Sequence, residues 1–249
     1  MSKHNLALAG EVPEIYYPES DGKPMAETDV HRDLMIDLIE ALKTWFQHDP
    51  EVYVSGNILL YYEEGKPPKS VAPDVLFVRG IEKKQRRTYK LWEEGRMPDA
   101  VFEISSRKTW GDDWHVKFQL YARLGVKEYF LFDPEYDYLP EPLIAFRLKN
   151  GVYQKLKIKK NRVFSEALGL ELVDTGETLR LYHPPTGRFL PTLAEETWAR
   201  EQAETAQRQA EAAQQQAEAQ AQAEKQAREQ AEAEIARLQA EIARLKNKS

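Results

Sequence analysis

The chain changes character at Ala194, and that break limits what it can fold into. From Ala194 to Ser249 the text is almost wholly Ala, Gln, Glu and Arg, with no Gly and no Pro. These are strong helix formers, and nothing in the stretch would stop a helix. They also carry too little apolar surface to build a core. Any globular domain must therefore come from residues 1–193, which hold all 12 Gly and 14 Pro of the 249-residue chain. That length suits one domain with an appendage. The expected organisation is a domain over 1–193 and a helix over 194–249.

The appendage carries a seam. Ile235, Leu238, Ile242 and Leu245 step by three and four, the spacing of a coiled coil. Ala203, Ala206, Ala210, Ala213 and Ala217 keep the same alternation, and Ala221 joins the two registers with a stutter that should locally unwind a supercoil. The expectation is a homo-oligomer formed through this helix, with a single solvated helix as the alternative.

Composition removes several classes of function. With no Cys there is no disulfide framework, thiolate zinc site, iron–sulfur cluster or Cys nucleophile, so a metal must be held by oxygen or imidazole. A mean hydropathy of −0.65 and the lack of any apolar run near ~18 residues argue against a membrane span. The opening MSKHNLALAGEVPE has no sustained apolar stretch, so no secretory signal is expected and the expected location is cytoplasmic. The five His stand at 4, 31, 48, 115 and 183, and no pair has helical zinc-site spacing. No P-loop, G-x-G-x-x-G or G-x-S-x-G is present.

Within the domain, Ala26 to Phe46 reads as a helix with an apolar stripe through Leu34, Leu38, Leu42 and Trp45, and with Thr28 or Asp29 as N-cap. Val52 to Tyr62 reads as a strand, Val71 to Val78 as a second strand broken by Pro73-Asp74, and Asp99 to Ser105 as a third. Ile81 to Met97 reads as a polar, basic excursion. Trp114 to Leu124 is a helix ending at Gly125, followed by the strand Glu128 to Phe132. A helix between two apolar strands suits a βαβ crossover, so those strands should be parallel and buried. Leu143 to Leu148 and Val152 to Ile158 make a hairpin about Asn150-Gly151, and further strands follow.

Chemistry is concentrated in carboxylates. Asp74 follows Pro73 at the start of a strand, and Glu103 sits inside the apolar run Val101-Phe102-Glu103-Ile104, pointing opposite to Phe102 and Ile104. A buried carboxylate is costly unless paired or bound to metal. Two carboxylates on neighbouring strands can hold a hard divalent cation with water completing the shell. Alternatively, Asp74 caps a strand end and Glu103 takes an edge position or forms an ion pair. Asp113, Lys117 and Tyr121 share one helix face. That pattern serves a solvated ion pair and a core Tyr as well as a Lys that reaches the strand ends.

Pro73-Asp74, Glu103-Ile104-Ser105, Asp113-x-x-x-Lys117-x-x-x-Tyr121-Ala122, Gly125-Val126-x-Glu128-Tyr129 and Asp133-Pro134 together resemble the Uma2 family of restriction-endonuclease-like domains, within the PD-(D/E)XK nuclease superfamily. The resemblance runs from about Met25 to Phe146. It implies an α/β fold, a mixed β-sheet flanked by helices, with the long C-terminal helix added to it. It implies a metal-dependent endonuclease acting on nucleic acid, DNA foremost, with Mg2+ or Mn2+ held by Asp74 and Glu103. The superfamily Lys two residues after the Glu is Ser105 here, and the family places it on the next helix, as Lys117. Glu27 or His31 would approach the site from the first helix, with a helix-face or core position as the alternative for His31, and Ser105 and Tyr121 would support the site. The rival expectation is an inactive nuclease fold, serving as a scaffold or nucleic-acid binder.

A nuclease must tolerate a polyanion. The net charge is −6, but the tail, with 8 basic and 11 acidic residues, carries half of it. Lys83, Lys84, Arg86 and Arg87 lie between the two ligand-bearing strands, and Arg107 and Lys108 follow Glu103. These six are the candidate phosphate contacts.

Overall fold

A computed structural model of the protein describes residues 15–20, 22 and 28–246. The chain divides into two units, Met1–Leu193 and Ala194–Ser249.

In the first unit, α1 (Asp29–Trp45) begins where Thr28 Oγ1 accepts from the His31 amide at 3.3 Å. It buries Leu34, Leu38 and Leu42 of the expected stripe, together with Ala41, whereas Trp45 at the end of the helix is 40% exposed. Then come β1 (Val52–Ser55), β2 (Leu60–Tyr61), β3 (Ser70–Val71), β4 (Val75–Arg79), β5 (Tyr89–Lys90), α2 (Leu91–Glu94) and β6 (Ala100–Ile104). A short α3 (Trp110–Asp112) runs through a π turn (Asp113–Lys117) into α4 (Phe118–Leu124). β7 (Glu128–Phe132), β8 (Leu143–Lys149) and β9 (Val152–Lys155) follow, and β10 (Arg162–Ser165), β11 (Leu170–Asp174), β12 (Leu179–His183) and β13 (Arg188–Phe189) close the unit.

The main sheet has the order β1-β4-β6-β7-β8-β9. Only β6 and β7 are parallel, as the crossover requires; the other neighbours are antiparallel. Strands β10 to β13 form a separate antiparallel sheet, and β3-β2-β5 a small third one. Asn150 and Gly151 both have positive φ, 52° and 78°, and turn the β8–β9 hairpin.

Three expectations are corrected. Val52–Tyr62 is not one strand: the chain bends at Gly56-Asn57, with Asn57 at φ 50°, and sends β1 and β2 to different sheets. Val71–Val78 likewise divides at Pro73-Asp74 into β3 and β4. The helix expected from Trp114 begins at Trp110 and contains the π turn.

Two apolar layers cover the main sheet. Phe77, Phe102, Ile104, Phe130 and Phe132 pack with Leu34, Leu38 and Leu42 of α1 and with Leu170, Leu172 and Leu181 of the second sheet. Leu76, Val101, Tyr129, Leu131 and Ile144 pack with Tyr121 and Phe118 of α4. The alternation along β6 therefore turns Glu103 toward the α4 side.

The tail is α5 (Leu193–Lys246), 54 residues and roughly 80 Å long at the α-helical rise. Its seam residues Ile235, Leu238 and Ile242 are exposed in the single chain, at 56%, 49% and 53%.

Candidate active site

The site forms where β4 begins and β6 ends. These antiparallel strands pair Val75 with Phe102, and the next step sets Asp74 against Glu103. Asp74 Oδ2 accepts from the Ile104 amide at 2.7 Å, which fixes the carboxylate at the strand end. His31, buried in the first turn of α1, places Nε2 3.4 Å from Asp74 Oδ1.

Gly56 makes this placement possible. A Cβ there would lie 2.0 Å from the Asp74 carbonyl oxygen and 2.6 Å from Ile39 Cδ1. The Asn57 amide donates to the Pro73 carbonyl at 2.9 Å, holding the same two segments together. Sequence reasoning passed over Gly56, although a Gly inside a β-branched run is a recognised mark of close backbone approach.

Glu103 is fully buried and uses both oxygens. Tyr121 OH donates to Oε1 at 2.7 Å, and Lys117 Nζ lies 2.7 Å from Oε2. Lys117 Nζ is also 2.9 Å from Asp113 Oδ1. The π turn spans Asp113 to Lys117, and such single turns carry one extra residue that re-aims side chains. Asp113, read from sequence as half of a solvated pair, is completely buried. Its second oxygen accepts a long bond from Ser105 Oγ at 3.5 Å, and its carbonyl accepts from Tyr129 OH at 2.8 Å. The spacing to Lys117 was visible in the sequence; the burial was not, because neighbouring β7 supplies it.

Three carboxylates thus face one ammonium and one imidazole. Burial, together with the nearby Asp74 and Asp113, drives the Glu103 carboxyl well above the usual range despite Lys117. Burial also raises Asp113, against the pull of Lys117. For Asp74 burial acts upward, but His31, Lys117 and the Ile104 amide outweigh it and hold the group below its ordinary value. Burial would lower Lys117, yet the three surrounding carboxylates raise it, so it stays an ammonium. The side chains of Lys117 and Asp74 are 21% and 11% exposed and Glu103 0%, so the first two form the outer edge.

The structure therefore brings together Asp74, Glu103, Lys117, Tyr121, Ser105 and His31. Glu27 lies outside the described residues. The basic candidates are spread over different tasks. Lys83 Nζ donates to the Phe46 and Gln47 carbonyls at 2.9 and 3.0 Å, closing the end of α1. Arg86 has an enclosed side chain, 3% exposed, that grips Glu94 with two bonds of 2.7 and 2.8 Å and lies over the Tyr53 ring. Lys84 pairs with Glu82, and Arg87 with Glu19. Arg107 and Lys108 are exposed and form no ion pair among the described residues.

The arrangement is that of a nuclease-like α/β domain, with acidic groups and a Lys converging at the ends of two central strands. The Uma2 family, described as “Putative restriction endonuclease”, matches residues 5–188, and the chain belongs to that family. No curated protein matches the sequence. Among solved structures, the chain is similar to “a putative nuclease belonging to DUF820” from Anabaena variabilis ATCC 29413. That similarity has 13% identity and a TM-score of 0.44, and covers 59% of this chain and 76% of that one.

Proposed function

We propose that the protein is a divalent-metal-dependent nuclease that hydrolyses phosphodiester bonds of nucleic acid, DNA foremost. One observation carries the reading: Lys117 Nζ lies 2.7 Å from Glu103, and Asp74, just before β4, is hydrogen-bonded to the amide of Ile104, the residue next to Glu103.

Among the described residues no group of three or more His, Cys, Asp or Glu is arranged as a ready cage. The fit rests instead on charge and ligand type. Asp74, held below its ordinary value, is an anionic hard-oxygen donor, and Glu103 and Asp113 add further oxygen donors around the same ammonium. Such donors suit Mg2+ or Mn2+ held by one or two carboxylates with water in the remaining positions. Asp74 and Glu103 would hold the ion. When bound, it would polarise the phosphodiester and acidify a water.

The protein's own groups have definable tasks. The Ile104 amide and His31 fix the Asp74 carboxylate. Tyr121 fixes Glu103 from behind. Lys117, permanently cationic, places positive charge at the outer edge, where it orients a nucleophile or stabilises charge developing on phosphate oxygens. Asp113 and Ser105 position Lys117.

Thermal denaturation with added cation tests the proposal. Saturating Mg2+ or Mn2+ at about 100 times Kd should raise Tm by about 5–10 °C, EDTA should reverse the shift, and DNA cleavage should require the same ions. A Tm indifferent to both ions, together with no cleavage, would reject the reading. A second reading, a non-catalytic nuclease fold, draws on the fact that both Glu103 oxygens are already bonded and enclosed. The same experiment separates the two.

For the tail, the supporting feature is the exposed Ile235, Leu238 and Ile242 stripe, which a second copy of α5 would cover as a coiled coil. In sedimentation, the full chain should run as a dimer or trimer and a chain ending at Leu193 as a monomer. Equal masses per chain would reject tail-driven assembly.

A further inference from the structure

Glu103 and Asp113 are joined by a turn whose exposed side chains have no part in the metal site. Ser105 anchors it, its amide donating to the Phe132 carbonyl at 2.7 Å. Thr109 N and Trp110 N both donate to the Ser106 carbonyl, at 3.1 and 3.0 Å. Ser106 N donates to Thr109 Oγ1 at 3.2 Å, and the two hydroxyls lie 3.2 Å apart. Asp113 N then donates to the Thr109 carbonyl at 2.9 Å. The turn is therefore held at both ends by segments of the candidate site. Its central positions are Arg107 and Lys108, both exposed.

Trp110 follows directly. Trp45, Trp92 and Trp114 each pack against another ring, His183, Tyr17 and Phe146 respectively. Trp110 makes no ring contact among the described residues and is 41% exposed. A half-exposed indole beside two uncommitted cations, on a rigid turn at the edge of a phosphodiester site, has a definite chemical complement. The cations suit phosphates, and the indole face suits a base. In an intact duplex the base faces are already stacked on one another, so only an unpaired base can use the indole.

We infer that Trp110 is a substrate-positioning residue that stacks an unpaired base, with Arg107 and Lys108 on the adjoining phosphates, so that the site takes single-stranded or frayed nucleic acid in preference to intact duplex. This rests on the nuclease reading.

The test uses the full chain carrying Glu103→Gln, so that binding is read without cleavage. A fluorescein-labelled oligothymidylate and a blunt hairpin duplex are titrated by anisotropy. Adding Trp110→Ala should weaken binding of the strand about tenfold and of the hairpin less than about twofold. Trp110→Phe should retain most of the strand affinity. Arg107→Gln with Lys108→Gln should weaken both ligands and flatten the salt dependence, whereas Trp110→Ala should leave that slope unchanged.

Strand binding unchanged in Trp110→Ala, or an equal loss on strand and hairpin, overturns the inference while leaving the nuclease reading standing. A change in sedimenting mass in Trp110→Ala, with strand affinity intact, makes the indole a self-association contact and also overturns it. A parent protein that binds neither ligand removes the inference and the nuclease reading together.

Discussion

Replacing Asp74 by Asn or Glu103 by Gln should each reduce metal-dependent cleavage by about a thousandfold or more, with the domain still folded. The magnitude follows from loss of the ion's several kcal/mol of transition-state stabilisation, at about 1.4 kcal/mol per tenfold. The fold should survive because both replacements keep the essential bonds. In Asp74→Asn the side-chain carbonyl still offers an oxygen to the Ile104 amide, which Asp74 Oδ2 accepts at 2.7 Å. In Glu103→Gln the new side chain can turn its carbonyl to Lys117 and donate its amide to the Tyr121 oxygen, the two partners Glu103 holds at 2.7 Å.

The Gln change also removes a buried titrating group flanked by Asp74 and Asp113. Glu103 has its folded pKa raised above the ordinary 4.5, chiefly by burial. The folded state therefore holds that proton more tightly than the unfolded chain. The stability it contributes is complete below the ordinary value and is lost as pH rises through the folded pKa. Glu103→Gln should flatten that pH dependence, read from Tm against pH, and should abolish the Mg2+-induced rise in Tm. Cleavage persisting in both variants would remove Asp74 and Glu103 from the chemistry.

Replacing Lys117 by Met should cost about 3–5 kcal/mol of stability near pH 8, the usual penalty for stranding a buried charge partner. Lys117 Nζ is 2.7 Å from Glu103 and 2.9 Å from Asp113, and it is the neighbour that pulls both carboxyls down. Without it, both folded pKa values, already raised, move further above those of the unfolded chain. The sign is therefore the same as for Glu103: the variant recovers toward pH 5, where the carboxyls take protons, and weakens as pH rises. Urea denaturation at pH 5 and pH 8 measures this. Added Mg2+ should return part of the loss at pH 8, since a cation can replace an ammonium as counter-charge. A variant as stable as the parent at pH 8 would show that Lys117 does not balance the cluster.

Much of the site was legible in the chain. Pro73-Asp74 before a strand and Glu103 between apolar residues stand out because a carboxylate in a β-run demands a reason. Lys117 and Tyr121 stand out because their spacing shares a helix face. Several features were not legible, and each for a physical cause. The full burial of Asp113 depends on β7 and on Tyr129, which come later in the chain. The π turn has no sequence signature of its own. The bend at Gly56-Asn57, inside a run of strand-forming residues, is imposed by the Asp74 backbone passing against Gly56. The engagement of Lys83 with the end of α1 and of Arg86 with Glu94 depends on packing between separate segments, which no local pattern reveals.

By itself the amino-acid sequence determined the division at Ala194, the helical tail, the Leu34-Leu38-Leu42 stripe of α1, the parallel β6–β7 crossover and the exclusion of thiolate ligands from any metal site. These depend on local propensity, on periodicity and on which residue types are present. Only the tertiary structure decided that Asp74, Glu103, Asp113, Lys117 and His31 meet, and which basic residues remain available for a polyanion. Convergence and burial are set by strand register and by packing between segments distant in the chain. Local pattern carries neither.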